Sequence, residues 1–438
     1  MGASVPGAFD DHRPPQRELV KDCVHCGFCL PSCPTYVLWG EEMDSPRGRI
    51  HLMRAGLDGE PLSESMVRHF DACLGCLACV PACPSGVRYG TLIAETRAQV
   101  ERRYPRPWRE WLLREAIFAV FPYPRRMRAL RLPLALYQRS GLRRWLRRSG
   151  LLARLPLTLQ VMESLLPPLT KRPALPERVP ATGQRRAVVG MLTGCVQDAL
   201  FSHVNAATAR VLAAEGCEVV IPRGQGCCGA LSQHSGREAE AIRFARALIE
   251  RFDAARVDYI VVNSAGCGSA MKDYAELLRS DPDYVSRARE FVRRTRDITE
   301  LLVELGPLAP RHPLPITVAY HDACHLSHAQ GVRAQPRQLL RAIPGLSLAE
   351  IPEADLCCGS AGIYNLLHPE PARELGCRKA RNVLATGAAV LVTANPGCLM
   401  QIAASALPLG TPLRVAHLVS VLDASIRGLP PETLPQPQ

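Results

Sequence analysis

The chain has 438 residues, 47% apolar and 21% charged, which excludes a disordered polymer and predicts two to four globular domains at about 150 residues each. Its longest apolar runs, such as Ala116–Phe121, fall far short of the roughly 18 residues a membrane-spanning helix needs, and the N-terminal stretch lacks the apolar segment of a signal peptide. The reading is therefore cytoplasmic, and 18 cysteines in a reducing compartment point to metal ligands or redox groups, not disulfides.

In chain order, the first 16 residues are rich in Pro and Gly and read as a loose tail. Two runs follow, CVHCGFCLPSCP (Cys23, Cys26, Cys29, Cys33) and CLGCLACVPACP (Cys73, Cys76, Cys79, Cys83). Both are C-x2-C-x2-C-x3-C-P, the pattern that holds [4Fe–4S] clusters. Two-residue gaps let three thiolates converge from one tight loop, while the fourth reaches the other cluster. Cys23, Cys26, Cys29 and Cys83 are thus assigned to one cluster, and Cys33, Cys73, Cys76 and Cys79 to the second. A zinc site would show paired C-x2-C motifs without the third cysteine and proline. The 39 residues between the runs have helical character.

Residues 97–186 contain no cysteine and hold 21 Lys and Arg against five acids, although the whole chain carries only +12. Prolines divide this stretch into short pieces, and residues 108–118 and 140–155 are amphipathic. It reads as a helical connector or as a docking segment for a partner or an anionic membrane surface. No nucleic-acid motif accompanies the charge, so nucleic-acid binding is not expected.

The remaining cysteines form an internal repeat. Cys195, Cys227, Cys228 and Cys267 recur as Cys324, Cys357, Cys358 and Cys398, with offsets of 129 to 131 residues. Strand patterns at 187–194, 218–222 and 259–263, with helix patterns at 204–216 and 237–252, predict a first parallel α/β unit. Strands at 316–320 and 389–395 and a helix at 369–387 predict the second. Each cysteine position then falls just after a strand, at the edge where open α/β sheets place their sites. Gly229 and Gly359 would let the backbone approach a centre closely. Cys217 and Cys377 lie outside the repeat and read as buried thiols. His321, His325 and His328 surround Cys324 as outer donors or proton relays, or as a zinc site with Cys324. The last 11 residues read as a second loose tail. No dinucleotide loop, Walker loop or nucleophile elbow is present in the sequence, so a flavin- or nicotinamide-bearing partner is expected to start the electron flow.

The expected architecture is multi-domain α+β and α/β. It comprises a ferredoxin-type module (17–96), a basic helical linker (97–186) and two repeated cysteine-rich domains (187–310 and 311–427). The module resembles the α-helical ferredoxin of succinate dehydrogenase iron–sulfur subunits. The repeat resembles the CCG domain of heterodisulfide reductases. Members of that group with a five-thiolate cluster end the motif in C-x-x-C, where this chain has Ala270 and Gln401; a four-thiolate cluster and a metal-free structural site stay open in each copy. The full combination, with His25–Tyr36 and Glu41–Arg49, resembles the iron–sulfur subunit of bacterial glycolate oxidase. Related architectures occur in heterodisulfide reductase and anaerobic glycerol-3-phosphate dehydrogenase subunits. The resemblance implies an electron-transfer subunit beside FAD-containing subunits that oxidise glycolate to glyoxylate, with D-lactate as a further substrate. A quinone or other acceptor would take the electrons, with the chain peripheral on the inner face of the cytoplasmic membrane.

Overall fold

In the computed structural model, which describes residues 7–435, the first unit is built on five helices: α1 (Arg17–Lys21), α2 (Pro34–Trp39), α3 (Pro46–Leu57), α4 (Glu64–Ala72) and α5 (Tyr89–Arg103). Local sequence sets their starts. Ser45 and Ser63 cap α3 and α4, their hydroxyls accepting the N–H groups of Gly48 and Met66, and Pro34 and Pro46 occupy first-turn positions where no N–H is needed. The helices close over Val20, Ile50, Met53, Phe70 and Leu92.

The N-terminal stretch from residue 7 is not the loose tail that its composition suggests. Ala8 is buried, Asp10 binds Gln99 and Arg102 on α5, and Arg13 pairs with Glu238 of the third unit. Residues 1–6 lie outside the described residues. The C-terminal stretch is also anchored: Leu434 is buried and Arg414 donates to the carbonyl of Pro431, while residues 436–438 lie outside the described residues. In both stretches a few specific polar contacts offset the cost of ordering a segment with no periodic apolar face.

The basic stretch forms α6 (Trp108–Val120), α7 (Pro124–Ala129), α8 (Arg131–Arg139), α9 (Leu142–Arg148) and α10 (Leu157–Ser164). Ile117 and Phe118 of α6 pack on Ile363 and Leu366, so this part of the linker seals against the last unit. Helices α8 and α9 bury no residue fully.

Two sheets carry the rest. The first contains β1 (Arg178–Val179), β2 (Ala187–Met191), β3 (Cys217–Val220), β4 (Tyr259–Val262) and β5 (Thr295–Asp297) in the order β1-β3-β2-β4-β5. Only β1 is antiparallel, and it comes from the stretch read as linker. The second contains β6 (Ile316–His321), β7 (Leu346–Glu350), β8 (Val390–Thr393) and β9 (Val415–His417) in the order β7-β6-β8-β9, all parallel. Apart from β1 the two orders are the same, as a duplication requires. Strands β5 and β9 escape the sequence reading because each has three residues, and β7 because its five are half-buried or exposed and partly polar.

The two units share one core, in which Val211 and Leu212 meet Val421 and Leu422. Their contacts are reciprocal. Helix Ser202–Ala214 packs on Leu418–Ile426, and Ile298–Leu305 packs on the counterpart Ala334–Arg341, so the pair has approximate two-fold symmetry. Arg210 clasps Asp423 across this seam at 2.9 and 2.6 Å.

Candidate metal centres

Both cysteine loops of the first unit adopt the same backbone. His25 (φ 54°) and Gly27 (φ 88°) are left-handed in one, and Gly75 (φ 63°) and Leu77 (φ 61°) in the other. The glycine has changed places between the loops. Gly75 is the required one, because a Cβ there would come within 2.8 Å of the His234 ring. In the other loop His25 carries a side chain at the left-handed φ, and it is Gly27 whose Cβ would crowd a neighbour, the Arg47 guanidinium at 2.8 Å.

The loops bring Cys33 close to Cys76 and Cys79, with Cys73 beside Cys79, and these four are buried; Cys29 of the other set also approaches Cys33 and Cys79, so the two sets adjoin. Cys29 faces Cys23, both line the module core with Cys83, and Cys26 is exposed. Burial and neighbouring sulfurs push the Cys76 and Cys79 thiols well above the usual range and Cys29 to about 11. Cys73 goes the other way. Burial alone would raise it, but the Arg49 and Arg97 charges, with hydrogen bonds from Tyr89 (3.6 Å) and the Gly75 N–H (3.3 Å), hold it below the usual thiol range. Arg49 also reaches the carbonyl of His69 (2.6 Å), Thr35 (3.1 Å) and the Asp44 carboxylate (3.2 Å). The positive charge it supplies is what a ring of thiolates around a metal requires. Neither Arg49 nor Arg97 carries a sequence signal that separates it from the other arginines.

The repeated cysteines converge as well. The Cys195 and Cys227 sulfurs lie 3.5 Å apart, and thiol hydrogen bonds link Cys227 to Cys228 and Cys228 to Cys267. The same chain runs through Cys324, Cys357, Cys358 and Cys398. Cys228, receiving from Cys227 and Cys267, sits well below the usual thiol range. Each set lies beyond the C-terminal ends of the strands, at the point where strand order reverses. Cys267 and Cys398 fall inside the first turns of the helices Ala265–Lys272 and Pro396–Ala406, not in loops. Position 359 requires glycine (φ 86°), because a Cβ there would meet the Ala372 carbonyl at 2.5 Å.

All eight repeated cysteines line a single cavity of about 450 Å³, roofed by Leu130, Leu134, Tyr137, Met162 and Leu165 of the linker. The first unit abuts it: Cys76 packs in one apolar cluster with Cys357, with Cys324 against it. His325 lies 3.1 Å from the Gly75 carbonyl and 3.1 Å from His234.

Two sequence expectations change here. The histidines do not gather around Cys324: His325 turns to Gly75, and His328 meets the Asp355 carbonyl at 3.1 Å. Only His321 joins a thiol site, with Cys358 and Cys398, their ligand atoms all within 4.8 Å of one another. Cys217 is buried on β3, and burial pushes it to about 11, but Cys377 is only half-buried, 3.7 Å from the Ser405 carbonyl. Ala270 is buried in its helix, and Gln401 spends its amide on Asn365 and the Ala372 carbonyl, both at 2.9 Å, which leaves four thiols per repeat. Four soft sulfur donors converging in a largely dry site fit an iron–sulfur cluster.

Comparison with known proteins agrees with this geometry. Residues 19–87 match the family model for a 4Fe-4S dicluster domain, and residues 109–166 match the linker region of the glycolate oxidase iron-sulfur subunit. Residues 189–272 and 318–403 match the cysteine-rich domain. The chain is 41% identical over 414 residues to the probable glycolate oxidase iron-sulfur subunit of Bacillus subtilis, covering 92% of this chain and 93% of that one. It is 36% identical to the glycolate oxidase iron-sulfur subunit of Escherichia coli, covering 93% and 94%. Lactate utilization protein A of Exiguobacterium is 32% identical over 55% of this chain and 98% of its own.

Proposed function

Because the chain belongs to the family of glycolate oxidase iron-sulfur subunits, we propose that it is the electron-transfer subunit of a complex oxidising glycolate to glyoxylate, and D-lactate as a further substrate. The substrate is oxidised on FAD-containing partner subunits, and a quinone or other acceptor takes the electrons. Iron–sulfur clusters, when bound, supply reversible one-electron transfer. The observation that carries the reading is the contact of Cys76 with Cys357 and Cys324, which makes the cysteine sites one continuous series and not four isolated ones.

Within that reading, Cys23, Cys26, Cys29 and Cys83 hold one [4Fe–4S] cluster and Cys33, Cys73, Cys76 and Cys79 hold the second. The two repeated sets hold further clusters. The proposed domains are 17–96, 97–186, 187–310 and 311–427. The chain's own residues hold the thiolates, offset their charge through Arg49 and Arg97, and keep water from the inner sites. The carbon-rich roof of the shared cavity suits an apolar acceptor such as a quinone.

Membrane contact at the inner face is the natural source of such an acceptor. Among the described residues no helix is long and apolar enough to cross a membrane. Helix α8 instead turns Leu134 and Tyr137 to the cavity and exposes Leu132 and Leu136, and α9 adds exposed Trp145 among arginines. Aromatic, aliphatic and cationic side chains together suit an anionic bilayer surface.

Iron and acid-labile sulfide per chain, measured on protein purified without oxygen, test the reading. We expect about twelve or more irons, that is, clusters beyond the two of the first unit. About eight would remove clusters from the repeated units, and zinc in place of iron would overturn the electron-transfer role.

A further inference from the structure

We propose that His321 is a metal ligand, giving the second cysteine-rich unit an iron–sulfur centre of mixed imidazole and thiolate ligation while the first unit's centre is all thiolate. The proposal rests on the iron–sulfur reading of the repeated cysteines.

The two units are copies, and they differ at this point. His321 ends β6 and aligns with Leu192, since Cys324 corresponds to Cys195. Leu192 is buried in an apolar cluster with Cys195, Cys227 and Cys228, and a carbon side chain meets no unmet demand there. His321 is 2% exposed, and its Nδ1 has no hydrogen-bond partner. A buried nitrogen without a partner is destabilising, so the histidine is the worse choice unless something binds it. The adjacent Lys379 does not, because its ammonium is committed to the Glu353 and Ala354 carbonyls. What stands within reach is the pair of thiols of Cys358 and Cys398. One imidazole nitrogen and two thiols within a sphere of 4.8 Å are the donors of a metal site, and imidazole and thiolate both bind iron well.

A neutral imidazole brings no negative charge to the ligand set, whereas a thiolate at the same position would make the set one charge more negative. The less negative set gives an iron–sulfur centre the higher reduction potential. The second unit's centre therefore differs from the first unit's by a neutral nitrogen donor, and it is the one whose cysteines touch Cys76.

The test is pulsed EPR on the full chain, reduced without oxygen, with and without ¹⁵N-histidine labelling. Direct ligation gives a strong nitrogen coupling that changes with the label, far larger than that of a hydrogen-bonded amide. His321→Cys should keep the iron content, abolish the coupling and lower the midpoint potential of one centre. The labelling experiment needs no variant, so a misfolded substitution does not blunt it. Iron above about eight per chain with no histidine nitrogen coupling, or a coupling that persists in His321→Cys, overturns the proposal and leaves the electron-transfer reading standing. An iron content of about eight overturns the cluster reading of the repeated units, and this proposal with it, before any spectrum is taken.

Discussion

Arg49 is 1% exposed and joins four parts of the first unit: the Asp44 carboxylate, Thr35, the His69 carbonyl and the neighbourhood of Cys33. Despite burial, Cys73, Cys33 and Asp44 hold its guanidinium charged, and His69 adds a 3.0 Å contact to the same carboxylate. Arg49→Met would preserve volume while leaving Asp44 buried without its permanently charged partner, with only His69 beside it. Breaking a buried pair on one side costs about 3–5 kcal/mol. A fall of that size in unfolding free energy, measured by urea denaturation, is the expected result; an unchanged midpoint would mean that Asp44 finds water instead. Lysine would not substitute, because a single ammonium cannot span the carbonyl, the hydroxyl and the carboxylate at once. The sequence alone does not announce this role: Asp44 lies five residues away, but Thr35 and the His69 carbonyl come from other helices, polar without pattern.

At the scale of elements, the cysteine loops were legible because their geometry is local. Two-residue gaps fix where three sulfurs go, and the left-handed pairs His25/Gly27 and Gly75/Leu77 carry out that geometry. The strands with continuous apolar runs, β2, β4, β6 and β8, were legible for the same reason. What could not be read were elements defined by distant partners. Strand β5 is Thr-Arg-Asp and is a strand only because β4 lies beside it, and residues 7–16 are ordered by partners far along the chain: α5, Glu60, Glu238 and the carbonyls of Glu276 and Leu277. The site was legible in its cysteines and not in its histidines: spacing placed three around Cys324, while the end of β6 and the short helix Cys324–Ser327 direct them to different partners. Gly75→Ala tests the interlocking of loop and neighbour. The left-handed backbone costs about 1 kcal/mol and the clash with His234 about 1–3 kcal/mol more. The expected loss is about 2–4 kcal/mol in thermal or chemical unfolding, partly recovered by His234→Ala in the same protein.

At the scale of the molecule, the linker has two different faces. Inside, it roofs the cavity; outside, Leu132 (80% exposed), Leu136 (67%) and Trp145 (58%) stand among arginines, of which Arg139, Arg144 and Arg148 make no ion pair among the described residues. Each basic residue near an anionic bilayer contributes about 1 kcal/mol, weakened by salt. Flotation with vesicles containing an anionic phospholipid should show binding that falls as salt rises. Replacing Leu132, Leu136 and Trp145 together by serine should reduce the bound fraction about tenfold at low salt. If the unaltered chain fails to float at any salt concentration, the membrane contact is wrong.

The N-terminal stretch that folds back along α5 to Glu238 has a mechanical consequence. The first unit is fastened on one side through this strap and on the other through the run of helices that follows α5. A carrier that ferries electrons by swinging between a donor and an acceptor needs slack in its tether, and here both ends are pinned. The molecule is accordingly a fixed conductor. Its throughput is governed by the gaps between neighbouring sites and not by the diffusion of a domain, so thickening the solvent leaves the internal hop untouched and slows only the arrival of partners.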